Sequence, residues 1–178
     1  MNKQLAILLT GLLAHGVVLA PAPAPAQTQT EIKFYCGKSY DPLSKKDIPT
    51  TLVSSPNREK PSVLVIWKSE YFPKYAPQQR CDLVSPKFQA AYVAGRLEYL
   101  VTGTHKGTGS QIVCGVANQD ESCDSNANML FTLKPYSDGA AVLKQLVGST
   151  EGEAGPNLYQ SSGNREVFSL RALLKAKK

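Results

Sequence analysis

Apolar side chains recur along this chain with two periods, 2 and about 3.6, and the points where the period changes mark its elements. Residues 32–36, Ile-Lys-Phe-Tyr-Cys, alternate as a strand does, and Gly37 is expected to end it. The stretch 38–60 holds Pro42, Pro49 and Pro56 and reads as loop, with a brief β-prone patch at 50–53. Residues 62–67, Ser-Val-Leu-Val-Ile-Trp, form a β-branched apolar run without polar alternation, the pattern of a central strand covered on both faces.

The period lengthens at Pro77. Cys81, Val84, Phe88, Ala91 and Tyr92 fall on one helical face, and Gly95 stops the segment. Pro86 conflicts with a continuous helix: it either kinks this one or opens a second with Ser85 as N-cap. Residues 97–102 and 111–116 are β-prone and joined by a glycine-rich loop, and 129–133 supplies a further strand. Asp138 is placed to cap a short helix through Leu146, with Ala141, Val142 and Leu146 toward the sheet. The expected fold class is α+β: an antiparallel sheet of about five strands with two packed helices and two disulfides.

The two ends differ from this middle. Residues 1–26 carry Lys3, then a short apolar run, then Ala24-Pro25-Ala26, the layout of a secretory signal peptide cleaved after Ala26. The apolar run is shorter than the roughly 20 residues of a spanning helix. Residues 27–148 are expected to form one disulfide-stabilised domain, 149–164 a flexible glycine-rich linker, and 165–178 a basic amphipathic helix. On that last helix Val167, Leu170 and Leu174 make an apolar stripe, while Arg165, Arg171, Lys175, Lys177 and Lys178 are candidate contacts to an anionic membrane surface; docking of the stripe onto the chain's own domain, or disorder of the segment, are the competing readings.

Charge changes this picture little. After loss of Lys3, 19 basic residues stand against 14 acidic ones, an excess spread along the chain and too modest to indicate nucleic acid. The cysteines change it more. Cys36, Cys81, Cys114 and Cys123 all lie in the exported part, where thiols pair. Three connectivities are open. Cys114 with Cys123 is favoured, since it closes a short loop between two strands and leaves Cys36 to tie the first strand to the first helix. Without a C-x-x-C spacing, and with His105 the only histidine after residue 26, zinc is not expected.

The same scarcity removes most catalytic arrangements. A Ser–His–Asp or Cys–His site would have to use His105, which sits in a glycine- and threonine-rich hairpin loop. No phosphate-binding loop follows the G-x-x-x-x-G-K-[ST] form. Asp124, Asn126 and Asn128 mimic the start of a calcium loop, but Met129 and Pro135 stand where its glycine and bidentate glutamate belong. No catalytic residue, metal or cofactor is therefore assigned. Trp67, Tyr71, Phe72 and Tyr75, interleaved with Lys68 and Lys74, form a candidate binding face for a protein or glycan, with core packing as the competing role.

An ordered series of motifs carries a resemblance. It comprises Tyr71-Phe72, then Pro77-Gln78-Gln79-Arg80-Cys81 with Val84-Ser85 and Phe88-Gln89, then Leu97, Tyr99-Leu100 and Thr102-Gly103, then Ile112 and Cys114, Cys123, and Leu130-Phe131-Thr132-Leu133-Lys134-Pro135. From about residue 34 to 147 the chain resembles the circadian oscillating polypeptide family of cyanobacteria, departing from it at Pro86. The resemblance implies an exported, membrane-peripheral cyanobacterial protein and supplies no catalytic residues.

The expectation is a non-enzymatic binding or interaction protein of the cell envelope or a thylakoid-associated compartment, in the periplasm, the thylakoid lumen or outside the cell. Its partner would be a protein or a glycan, with an anionic membrane surface as a further contact and no nucleic acid. The alternative is a small secreted hydrolase or polysaccharide-active protein working through a carboxylate pair such as Glu70 and Glu98.

Overall fold

The computed structural model describes residues 31–56, 58–68, 72, 74–139, 141–143, 159–160 and 166–170. It is α+β, with antiparallel strands divided over two sheets and two disulfides. The first sheet has the order β1-β2-β3, from β1 (Lys33–Asp41), β2 (Lys46–Ser54) and β3 (Ser62–Ile66). The helix α1 (Pro77–Val93) follows. The second sheet has the order β6-β5-β4-β8-β7, from β4 (Tyr99–Thr104), β5 (Gln111–Val116), β6 (Met129–Thr132), β7 (Tyr159–Gln160) and β8 (Glu166–Ser169).

The prolines misdirect the reading of 38–60. β1 runs through Gly37 to Asp41 and pairs along its whole length with β2, from Lys33 opposite Ser54 to Asp41 opposite Lys46. Pro42 lies in the connecting turn, where Asp41 Oδ2 accepts from the Ser44 N–H and hydroxyl at 3.0 and 2.6 Å. Pro49 sits within β2 at the point where β3 has ended, and its carbonyl accepts from the Trp67 N–H at 2.9 Å. The ring nitrogen therefore interrupts no ladder bond to a neighbouring strand.

Among the described residues β3 is an edge strand and not a central one. Its run lacks alternation because of a bulge: Thr51 pairs Val65 but Leu52 pairs Val63, which leaves Leu64 as the extra residue. Leu64 and Val65 thus both enter the core. The same device recurs on β6, where Val113 pairs Phe131 and Cys114 pairs Met129, so Leu130 is extra and adjacent Leu130 and Phe131 are buried together.

α1 passes through Pro86 without a break. An interior proline costs about 3 kcal/mol through its missing N–H and its ring. Anchors on both sides offset this: Cys81, bonded to Cys36 before the proline, and Phe88, fully buried after it. Ser85 is not an N-cap; its hydroxyl meets the Thr51 hydroxyl at 2.9 Å, which in turn accepts from Trp67 Nε1 at 3.0 Å. The helix ends as the sequence indicates. Gly95 takes φ +67, its N–H reaches the Tyr92 carbonyl, and the Arg96 N–H reaches Ala91, a Schellman closure.

The main core lies between α1 and the two sheets. Phe88 is its centre, with Phe34 at a centroid distance of 5.9 Å and Phe131 at 6.3 Å, while Trp67 meets Phe131 edge-on at 5.5 Å. A smaller cluster of Val101, Ile112, Cys114, Val116, Cys123 and Val167 occupies the opposite face of the second sheet.

The expected C-terminal helix is corrected over its described part. Glu166–Ser169 is a strand inserted between β4 and β7, with Val101 opposite Val167 and Leu100 opposite Phe168. Val167 and Leu170 do follow helical spacing, but here the chain is extended, and Val167 and Phe168 are buried on opposite faces of the sheet. Tyr159–Gln160, within the expected linker, is likewise a strand. The helical turn after Asp138 forms, with the Val142 N–H donating to the Asp138 carbonyl at 3.0 Å. Leu143, and not Ala141, is its buried residue; Leu146 lies outside the described residues.

Candidate functional site

Immediately before α1 the chain makes a turn closed by the Tyr75 N–H on the Phe72 carbonyl at 3.0 Å. This turn brings Phe72 over the first turn of the helix, where Arg80 is inserted between two rings. The Arg80 Cζ lies 4.8 Å from the Trp67 centroid and 4.6 Å from that of Phe72. A guanidinium stacked on aromatic faces is held by attraction to their π clouds, at about 0.5–2 kcal/mol per contact. Burial pushes its pKa down, and the group stays protonated.

Beside this stack lies a cleft of about 330 Å³ lined by Phe72, Tyr75, Leu83, Lys87, Met129 and Thr132. Leu83 and Lys87 are one helical turn apart, so they stand side by side on α1. A second cleft, of about 740 Å³, shares Phe72 and Thr132 with the first and extends past Ser110, Gln111, Pro135 and Tyr136. Together the two form one face. Its apolar groups are unusually open to water: Tyr75 is 47 % exposed, Leu83 51 % and Tyr136 fully exposed at 103 %.

The four rings grouped as a candidate face from sequence are placed differently in the structure. Phe72 and Tyr75 are on the cleft face. Trp67, at 2 % exposure, belongs to the core, because its ring packs on Phe131 and its N–H is taken by Thr51. Tyr71 lies outside the described residues, as do Arg165, Arg171, Lys175, Lys177 and Lys178. Arg80, Leu83, Lys87 and Tyr136 were not foreseen. A Leu83–Lys87 spacing on the far side of the helical stripe and a Pro-Tyr dipeptide in a turn were the available signals.

Other candidate residues are engaged in structural pairs. Lys106 Nζ reaches Asp124 Oδ2 at 2.6 Å, which raises the lysine's pKa, and His105 Nε2 lies 3.2 Å from Asn126 Oδ1. The calcium-like loop is thus turned toward the hairpin loop of β4 and β5. Among the described residues no group of three His, Cys, Asp or Glu could hold a metal ion. Glu98 is half-buried, its backbone bonded to Val116 and Leu170; Glu70, its proposed companion, lies outside the described residues. Asp41 is salt-bridged to Lys68 at 2.7 Å, and that ammonium, with the Ser44 hydroxyl, holds its pKa at about 2.

The cysteine pairs that organise this arrangement, Cys36 with Cys81 and Cys114 with Cys123, both fall inside a span of chain with a known counterpart: a family model described as Circadian oscillating protein COP23 matches residues 33–175. The chain belongs to that family. Comparisons with curated proteins and with solved structures return no match. The span assigned to COP23 takes in every strand of both sheets, the helix and both clefts, so the candidate face lies within the family's domain.

Proposed function

We propose that this COP23-family chain is an exported, non-enzymatic binding module that holds its ligand across the paired clefts between Tyr75 and Tyr136. The observation that carries this reading is the exposure of Tyr75, Leu83 and Tyr136 around clefts that share Phe72 and Thr132. Open rings and an open leucine on a rigid surface are favourable contact area at small entropic cost. Export is supported by the signal-like composition of residues 1–26 and by two disulfides, which persist in oxidising compartments. Among the described residues no helix is long and apolar enough to cross a membrane. The setting proposed is the cell envelope or a thylakoid-associated compartment of a cyanobacterium, with the basic residues of 165–178 as a further contact to anionic lipid.

The non-enzymatic reading is supported by the engagement of Asp41, Asp124 and Glu121 with Lys68, Lys106 and Asn118. Two measurements test the proposal. N-terminal sequencing of the exported product should start at Gln27. Retention of the processed protein on isolated envelope material should fall several-fold in a Tyr75→Ala/Leu83→Ala variant that melts like wild type. Equal retention of that variant would defeat the assignment of the face.

A further inference from the structure

We infer that the larger cleft, between the β4–β5 loop and the turn at 134–137, binds a β-linked polysaccharide with Tyr136 as its stacking platform. This rests on the reading of the paired clefts as the binding face and names the ligand class of one of them.

Tyr136 is the starting point because local physics opposes its conformation. The turn is closed by the Ser137 N–H on the Lys134 carbonyl at 3.1 Å, with Pro135 in second place and Tyr136 in third at φ +60. That third position, at positive φ, is one glycine or asparagine fills without strain, and a bulky side chain there is an outlier. Strain of this kind persists where packing compensates or where function uses the side chain. Packing does not compensate: the Tyr136 ring is fully exposed. The backbone thus directs an aromatic side chain out into solvent, on the lip of a cleft.

The walls of the cleft define what could lie against that ring. Thr108, Ser110, Gln111, Thr132 and Ser137 contribute hydroxyls and an amide, and no lysine or arginine lines it. Gln111 is fixed by a bond from its amide nitrogen to the Thr104 hydroxyl at 2.9 Å. A hydroxyl-rich wall whose one charged group is the Asp138 carboxylate, facing an exposed ring, does not select phosphate or nucleic acid, which require cations. It matches a pyranose, whose C–H face packs on an aromatic plane while its edge hydroxyls exchange hydrogen bonds. In a β-linked chain the equatorial linkages keep successive sugars flat, so one sugar can lie on Tyr136 and a neighbour on Phe72, which lines the same cleft. The volume of about 740 Å³ is within the usual range of ligand sites, roughly 300–1,000 Å³.

The test is calorimetric titration of the full chain with cellohexaose, xylohexaose and N-acetylchitohexaose, beside Tyr136→Gly, Tyr136→Phe and Tyr40→Ala variants. Binding of at least one hexasaccharide is expected. Tyr136→Gly should weaken it about tenfold or more while raising the melting temperature, since it removes the ring and the backbone strain together. Tyr136→Phe should keep the affinity, and Tyr40→Ala, an exposed tyrosine on β1, should leave it unchanged. Failure of all three sugars to bind at millimolar concentration, or binding indifferent to Tyr136→Gly, overturns the inference. If envelope retention still depends on Tyr75 and Leu83 in that case, the binding face stands and its ligand is not a glycan; if retention is also indifferent, both readings fall.

Discussion

On one face of the five-stranded sheet, Leu100, Val113 and Phe168 meet the helix and the three-stranded sheet; on the other, Val101, Ile112, Cys114 and Val167 meet the segment 117–128. The first interface is built from regular elements and aromatic rings, and its order follows from the apolar area that large side chains remove from water. The second is covered by chain without strand or helix, which buries little area of its own. Two local devices hold it instead. Cys123 is bonded to Cys114, and the Cys123 carbonyl lies so close over Gly103 that an added Cβ would come within 1.9 Å of it. A covalent bond and a missing side chain thus do for the outer cluster what volume and shape do for the inner one.

Substitutions separate the two regimes. The largest single effect is expected from Phe88→Ala, which empties the centre of the main core and should cost about 3–5 kcal/mol in urea unfolding. An effect below about 1 kcal/mol would mean that the stacked rings are not the organising contact. The disulfides come next. By chain entropy, loss of the pair separated by 45 residues should cost about 4 kcal/mol and loss of the pair separated by 9 about 3. The sharper contrast is where hydrogen exchange rises: throughout the domain when Cys36 and Cys81 become serine, but first in 117–128 when Cys114 and Cys123 do.

Gly103→Ala should cost about 1–3 kcal/mol by forcing the Cys123 backbone off the sheet, and its exchange pattern should match that of the Cys114/Cys123 variant. Protection lost evenly across both clusters would show that the outer one has no independent standing. The smallest effect lies outside both, at the β1–β2 turn. Asp41 has its pKa lowered from 3.8 to about 2 by Lys68 and Ser44. A lowered carboxylate pKa gives stability that is present above the unfolded value and lost as pH falls through the folded one. Melting temperature should therefore drop between about pH 4 and pH 2, and less steeply in Asp41→Asn.

The sequence by itself determined the α+β class, the helical stripe from Cys81 to Ala91, the Gly95 stop and the favoured cysteine pairing. These follow from local periodicity, a single residue's backbone freedom, and loop length. It also carried the Phe72 and Tyr75 part of the candidate face, since rings beside proline in a turn are visible in one dimension. Tertiary structure decided the rest. The bulges at Leu64 and Leu130 erase the alternation by which a strand's face is read, so β3 looked central when, among the described residues, it is an edge. Proline warned against β2 and against a continuous α1, because its penalty is local while the offsetting contacts, a vacated ladder position at Pro49 and anchors at Cys81 and Phe88, come from distant chain. The segment at 166–170 fits a helix or a strand by its own pattern; the open edge of β4 and the two cores on either side select the strand. The face was incomplete for the same reason, since Arg80, Leu83, Lys87 and Tyr136 become neighbours of Phe72 and Tyr75 only when helix, sheet edge and turn are brought together.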